Sequence, residues 1–322
     1  MMSEVVVRAS IAAGIAFAVA MLIGPITIKN LRKLKAGQVV RDDGPQSHLK
    51  KSGTPSMGGV IIIVSVLVGS AAASPSYAML PWALFVTTGC GLVGMLDDYI
   101  SIVARRSLGL RARQKILFQL VFGLILGAWA YSNPGIGSGI IIPFTHGHVV
   151  DLGMWYIPFV MLVLVASTNA VNLSDGLDGL AAGTMAIASF AYVAVSSALG
   201  HGEASAFAGA VGGACLGFIW WNAYPASVFM GDTGSLALGA ALASMAVITR
   251  TELLLLVIGG IYVVEAMSDV IQVTYFKLTG ERVFRMAPIH HHFELKGVAE
   301  PKIVVRFWIV AAFLAALGFA AL

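Results

Sequence analysis

From Ser52 to Leu96 the chain reads SGTPSMGGVIIIVSVLVGSAAASPSYAMLPWALFVTTGCGLVGML, without one Lys, Arg, Asp or Glu, and the next two residues are Asp97 and Asp98. A helix that crosses a membrane needs roughly 20 mostly apolar residues. The run holds two such segments, 58–74 and 79–96, joined by the turn Ser74-Pro75-Ser76. Working outward, eight more stretches qualify: about 9–28, 115–132, 154–171, 179–199, 206–222, 236–250, 253–275 and 303–321. The first, Ala9 to Ile28, is long enough to span rather than to be trimmed as a signal. Composition agrees. The 322 residues are 58% hydrophobic and 11% charged, whereas a soluble domain carries about 25% charged residues. The expectation is an all-α polytopic membrane protein with about ten transmembrane helices in a single domain, 1–322.

The alternate loops 29–57, 97–114, 172–178, 223–235 and 276–302, with Lys115 and Arg306 at their edges, hold all Lys and Arg except Arg8 and Arg250. By the positive-inside rule that side is cytoplasmic, so ten spans put both termini outside. The net charge of +4 is then a topology signal first and calls for no nucleic-acid partner. Basic runs such as Lys29–Lys35 and Arg105–Arg113 have a second reading, attraction to anionic headgroups or phosphorylated substrates. Cys90 and Cys215 lie inside apolar stretches and read as small buried hydrophobes. The Gly-rich outside segment 133–153 reads as a small hairpin. No internal repeat is evident, which weighs against a transporter built from inverted halves.

Polar clusters gather on the cytoplasmic side. Asp97 and Asp98 end the uncharged run; two adjacent carboxylates repel, which suits a metal site or a general base. In Asn169-Ala170-Val171-Asn172-Leu173-Ser174-Asp175-Gly176-Leu177-Asp178-Gly179, four Asn and Asp recur every third residue, a spacing that stacks them near one face if the backbone is helical. A capped helix junction would need only one of them. Phe229-Met230-Gly231-Asp232-Thr233-Gly234-Ser235 opens a helix with a carboxylate, two hydroxyls and free N–H groups, a phosphate-binding arrangement to which Mg²⁺ can be added through the carboxylate. Asn222 is the odd polar residue after Trp220-Trp221. His290-His291-His292 cannot share one helical face, so hydrogen bonding to a diphosphate or proton handling reads better than zinc. Glu265 and Asp269, four apart in the ninth stretch, mark either a cavity or a helix that leaves the membrane early. Lys50 and Lys51 precede the Gly-Pro turn into the second span, where a lysine can contact phosphate.

Together Thr54-Pro55-Ser56-Met57-Gly58-Gly59, Asp97-Asp98-Tyr99, Asn169 through Gly179, Met230 through Ser235 and Pro288 through Glu294 resemble the signatures of the phospho-N-acetylmuramoyl-pentapeptide transferase family, within the polyprenyl-phosphate hexosamine-phosphate transferases. The resemblance implies ten transmembrane helices, a bacterial inner-membrane location, a cytoplasmic cleft, a homodimer and a ninth helix that breaks and leans out. It implies transfer of phospho-N-acetylmuramoyl-pentapeptide from UDP to undecaprenyl phosphate, with Mg²⁺, giving lipid I and UMP. By motif position Asp232 is the metal ligand. Asp97 and Asp98 are the acidic pair at the phosphate, and Asn172, Asp175 and Asp178 belong to the donor and catalytic loop. Lys51, Leu173, Asn222 and Phe229 line the uridine pocket, and His290, His291 and His292 contact the donor. Ser101 stands where the family often has a basic residue, which leaves Arg105, Arg106 and Arg113 as candidates to meet the diphosphate. Ser56 replaces a common threonine and keeps the hydroxyl.

Overall fold

The computed structural model describes residues 2–34, 53–104, 109–145 and 147–322. The fold is all-α: α1 (Met2–Lys33), α2 (Gly59–Ala73), α3 (Leu80–Ala104), α4 (Ala112–Ser132), α5 (Tyr156–Ser174), α6 (Leu180–Ala198), α7 (Gly202–Asn222), α8 (Gly231–Thr249), α9 (Leu255–Ile258), α10 (Gly260–Thr279), α11 (Ile289–Glu294) and α12 (Glu300–Ala320). Among the described residues eight helices, α1, α3 to α8 and α12, are long and apolar enough to cross a membrane; α2 is apolar but shorter.

Differential burial separates a centre from a rim. In α8, 89% of the apolar window is buried, against 28% in α1, α4 and α12. Small residues let the central helices meet backbone to backbone. Gly94 of α3 shows why: a Cβ there would overlap the Asp232 carbonyl at the start of α8. Cys90 and Cys215 are free and buried, as their apolar settings predict.

Two sequence expectations change. The ninth stretch, 253–275, read from hydropathy as one span, breaks at Gly259-Gly260 into α9 and α10, as the family resemblance implies for the ninth helix. Glycine is a weak helix former, and a Cβ on Gly260 would crowd Leu314 of α12 at 2.8 Å. Asp97 and Asp98 do not end α3 but lie inside it, because the helix continues to Ala104.

At the end of the bundle away from Asp97, the expected hairpin is present. Gly139–Ile141 pairs antiparallel with Val149–Asp151. Arg250, in left-handed backbone at φ 60, ties it to α8: its Nε donates to the Gly139 carbonyl at 2.9 Å. At the same end Glu203 of α7 accepts the Ala78, Met79 and Leu80 N–H groups at 3.2, 2.8 and 2.8 Å and the Ser76 hydroxyl. One carboxylate thus satisfies the orphan donors at the start of α3.

Candidate active site

At the opposite end of α3 a carboxylate does the same for α8. Asp98 accepts the Asp232 N–H at 3.1 Å, the Thr233 N–H at 3.0 Å and the Thr233 hydroxyl at 2.6 Å. The chain can approach this closely because Gly231 has no side chain and sits at φ 70; a Cβ there would meet Asp98 Oδ2 at 2.5 Å and Ser56 Oγ at 2.7 Å. The Thr54–Gly59 motif braces the same turn. Phe229 N–H donates to the Pro55 carbonyl, and Gly58 and Gly59 donate to the Phe229 and Met230 carbonyls, at 2.8, 2.8 and 2.9 Å.

Asp97 accepts the Leu110 N–H at 2.7 Å. Lys115, one turn into α4, puts its ammonium 3.0 Å from Asp97 and 2.5 Å from Asp232. The other Asp232 oxygen accepts Asn172 Nδ2 at 2.8 Å, and the same amide donates to Ser235 Oγ at 2.8 Å. Oxygens of Asp97, Asp98 and Asp232 lie within 4.8 Å of one another. Three carboxylates so close repel, and a cation among them offsets the repulsion. Lys115 supplies one positive charge here. The donor set, all carboxylate oxygen, fits a hard divalent cation. Asp97 and Asp98 are buried, whereas the Lys115 and Asp232 side chains are 22% and 20% exposed, so the cluster opens on their side.

The Asn169–Gly179 motif does not form one helical face. Helix α5 ends at Ser174, because the chain turns at Asp175 to bring Gly176 and Asp178 against other elements. Asn169 donates to Gln119 at 2.8 Å, on the α4 side. Burial, followed by repulsion from Asp232, Asp98 and Asp178, holds the Asp175 carboxyl well above the usual carboxylate range, although the Gly231 N–H opposes this. Asp178 accepts the Ala226 N–H at 2.9 Å, and its own N–H donates to Glu300 at 2.7 Å. Asn222 accepts the Gly179 N–H at 3.0 Å and donates to the Val228 carbonyl at 2.9 Å. Asp178 and Asn222 therefore clamp the loop before α6 to the loop before α8. Leu173 and Phe229 are half-buried.

The three histidines diverge, as consecutive residues on a helix must. His290 is fully buried; its Nδ1 lies 3.0 Å from Glu265 Oε2, itself fully buried. His290 Nε2 has no partner and lies against Gly176, where a Cβ would overlap it. His291 Nδ1 lies 2.7 Å from Glu294, and His292 Nδ1 accepts the Arg285 N–H at 3.1 Å. Partial burial, then the Lys296 and Arg285 charges, lower the His292 pKa. Half-buried Asp269 lines a separate cavity of about 350 Å³ with Gln272, Lys277 and Arg282.

Lys51, Arg105 and Arg106 lie outside the described residues, and Arg113 is exposed. The sequence reading missed Lys115, which it counted only as a topology charge. The available signal was a lone lysine one turn inside an apolar helix. Glu300, the acceptor of the Asp178 N–H, was also missed, and nothing local marks it; Ser235, already noted as a hydroxyl of the Phe229–Ser235 motif, accepts from Asn172.

The profile of glycosyl transferase family 4 matches residues 80–250. Residues 51–63 match signature 1 of phospho-N-acetylmuramoyl-pentapeptide-transferase. Proteins of that name are similar over nearly the whole chain. The one from Clostridium kluyveri is 50% identical, covering 96% of this chain and 97% of its own. That from Desulforamulus reducens is 49% identical, covering 96% and 94%, and that from Pelobacter propionicus 48%, covering 93% and 88%. With the acidic cluster at the junction of α3, α4 and α8 and this similarity along its length, the chain belongs to the phospho-N-acetylmuramoyl-pentapeptide-transferase family.

Proposed function

We propose that this single-domain membrane transferase moves phospho-N-acetylmuramoyl-pentapeptide from its UDP-linked donor to undecaprenyl phosphate, releasing UMP and forming lipid I. The reaction takes place at the cytoplasmic face of a bacterial inner membrane, in a homodimer, with Mg²⁺. The observation that carries the reading is the Asp97, Asp98 and Asp232 cluster with Lys115 between two of its members.

An oxygen of the lipid phosphate attacks the β-phosphorus of the donor. The bond from that phosphorus to the bridging oxygen breaks, and UMP leaves. Two anions must meet, so alignment and charge neutralisation supply most of the catalysis. Asp232, with Asp97 beside it, would hold Mg²⁺, which would supply charge neutralisation for the diphosphate. Asp98 spends its oxygens on three donors at the start of α8 and so positions Asp232. Asp97, bonded to Leu110 and Lys115, is the member of the pair that takes a proton from the acceptor. Lys115 meets phosphate oxygens, the part expected of the arginines near Ser101. Asn172 orients Asp232, and Asp175 belongs to the same catalytic loop. Leu173 and Phe229 contact the uridine, with Lys51 at the same pocket; Asn222 and Asp178 shape its loop. His291 and His292 contact the donor, and His290 supports Gly176 from behind.

The test is UMP release in vesicles containing undecaprenyl phosphate, by wild type and by Asp232→Asn, with and without Mg²⁺. Retained activity in the variant overturns the metal assignment. A radiolabelled donor comparison separates the nearest rival: transfer from UDP-N-acetylglucosamine but not from the pentapeptide donor refutes the substrate.

A further inference from the structure

A cavity of about 620 Å³ lies behind the site loop, at the end of α1. Pro25, Ile28, Lys29, Arg32 and Lys33 form one wall. Trp221, at the end of α7, and Ser227, in the loop that leads to Asp232, form the other. Lys29, Arg32 and Lys33 are spaced i, i+3 and i+4, so they project from one face of the last turns of α1. All three are exposed, and none has a carboxylate partner among the described residues. Cations at a helix C-terminus complement its dipole, and basic residues at the end of a span set topology. Those two roles account for the charges. Neither calls for a concave site or for apolar walls beneath the charges.

We propose that this cavity binds the phosphate headgroup of an anionic bilayer phospholipid from the leaflet on the active-site side. Its volume lies within the range of small-molecule sites, about 300 to 1,000 Å³. The helix Glu4–Lys33 is apolar over its length, so the cavity lies where hydrocarbon gives way to water. Pro25, one turn below Lys29, together with Ile28 and Trp221, flanks the upper acyl chains. The three cations face the phosphate. The Ser227 hydroxyl lies among the lining groups, and the Ser227 N–H already holds the Trp221 carbonyl at 2.8 Å. The headgroup therefore rests on the outer side of the 223–230 loop, whose inner side Asn222 and Gly58 hold in place. A soluble anion has no use for the apolar wall, and the polyprenyl acceptor has to reach the Asp97 cluster instead.

Native mass spectrometry of the detergent-purified chain tests this without an activity assay, using titrations with phosphatidylglycerol, phosphatidylcholine of the same acyl chains, undecaprenyl phosphate and inorganic phosphate. The wild type is expected to retain one phosphatidylglycerol in preference to phosphatidylcholine. Arg32→Gln/Lys33→Gln is expected to weaken that retention about tenfold or more. Lys302→Gln/Arg306→Gln removes the same charge from α12 and leaves it intact. Ser227→Leu keeps every charge, fills the cavity and also loses the lipid. Equal loss from both charge pairs overturns the proposal in favour of diffuse surface attraction. Retention of undecaprenyl phosphate alone makes the cavity an acceptor site, and displacement of phosphatidylglycerol by inorganic phosphate makes it a soluble-anion site; either result overturns the proposal.

Discussion

The two ends of the bundle treat buried carboxylates in opposite ways. At the hairpin end each acid stands apart from other acids. Glu203 accepts three N–H groups and a hydroxyl at the start of α3, and Glu252 accepts the Tyr156 hydroxyl at 2.6 Å. At the other end Asp97, Asp98 and Asp232 are packed within 4.8 Å, with Asp175 close enough to feel two of them. Asp98 and Glu203 make the same kind of contact, a carboxylate on the orphan N–H groups of a neighbouring helix. Their surroundings separate them. A lone acid with enough donors is a structural fastener. Crowded acids cost free energy that the fold alone does not recover, and they need a cation that arrives with the substrate or is held in place.

The comparison can be broken by substitution, and the largest effect is expected at the crowded end. Asp232→Asn should lower UMP release by about 10³-fold or more without lowering the thermal unfolding midpoint, because it removes repulsion. A variant that unfolds instead would make Asp232 a fastener like Glu203. Lys115→Met should cost about 10²-fold in rate. It should also enlarge the rise in midpoint on adding Mg²⁺, since the three carboxylates then lack their internal cation; an unchanged Mg²⁺ response would remove Lys115 from the cluster's charge balance. At the hairpin end Glu203→Gln should cost about 2 kcal/mol, the range for unpaired buried donors, and leave UMP release intact below the new midpoint. Loss of activity in the folded variant would erase the distinction between the ends.

The smallest effect concerns pH. Burial raises the Glu252 pKa from 4.5 to about 7, against the pull of its Tyr156 hydrogen bond, and its second oxygen has no partner. The folded chain therefore holds this proton more tightly than the unfolded chain. The stability it contributes is complete below pH 4.5 and is lost as pH rises through about 7. Glu252→Gln should flatten the midpoint over that window. A wild-type midpoint that rises there, with the variant flat, would reverse the sign and leave Glu252 ionised.

Most of the helices were legible because a bilayer demands apolar length, and length is read directly from residues such as Ser52–Leu96. From the residues alone the break at Gly259 was legible only as a choice, since Glu265 and Asp269 mark polarity without saying whether a cavity or an early exit explains it; the family resemblance was what implied a broken ninth helix. The clusters were legible as clusters, because an Asp pair or an Asn-rich turn is rare in so apolar a chain. Their roles were harder to read. Asp178 and Asn222 look like ligand groups in sequence, yet their hydrogen bonds go to the backbone of neighbouring loops. Lys115 looked like one of many topology charges.

The sequence by itself determined the class, the approximate helices, the likeness to a transferase family and the list of polar groups, because composition and periodicity follow from local solvation. Tertiary structure decided which of those groups meet. It set Asp98 on the start of α8, Lys115 between Asp97 and Asp232, and His290 against Gly176. These pairings join residues 18 to 135 positions apart, and such contacts depend on how close glycine-lined helices can come, which a local pattern does not encode.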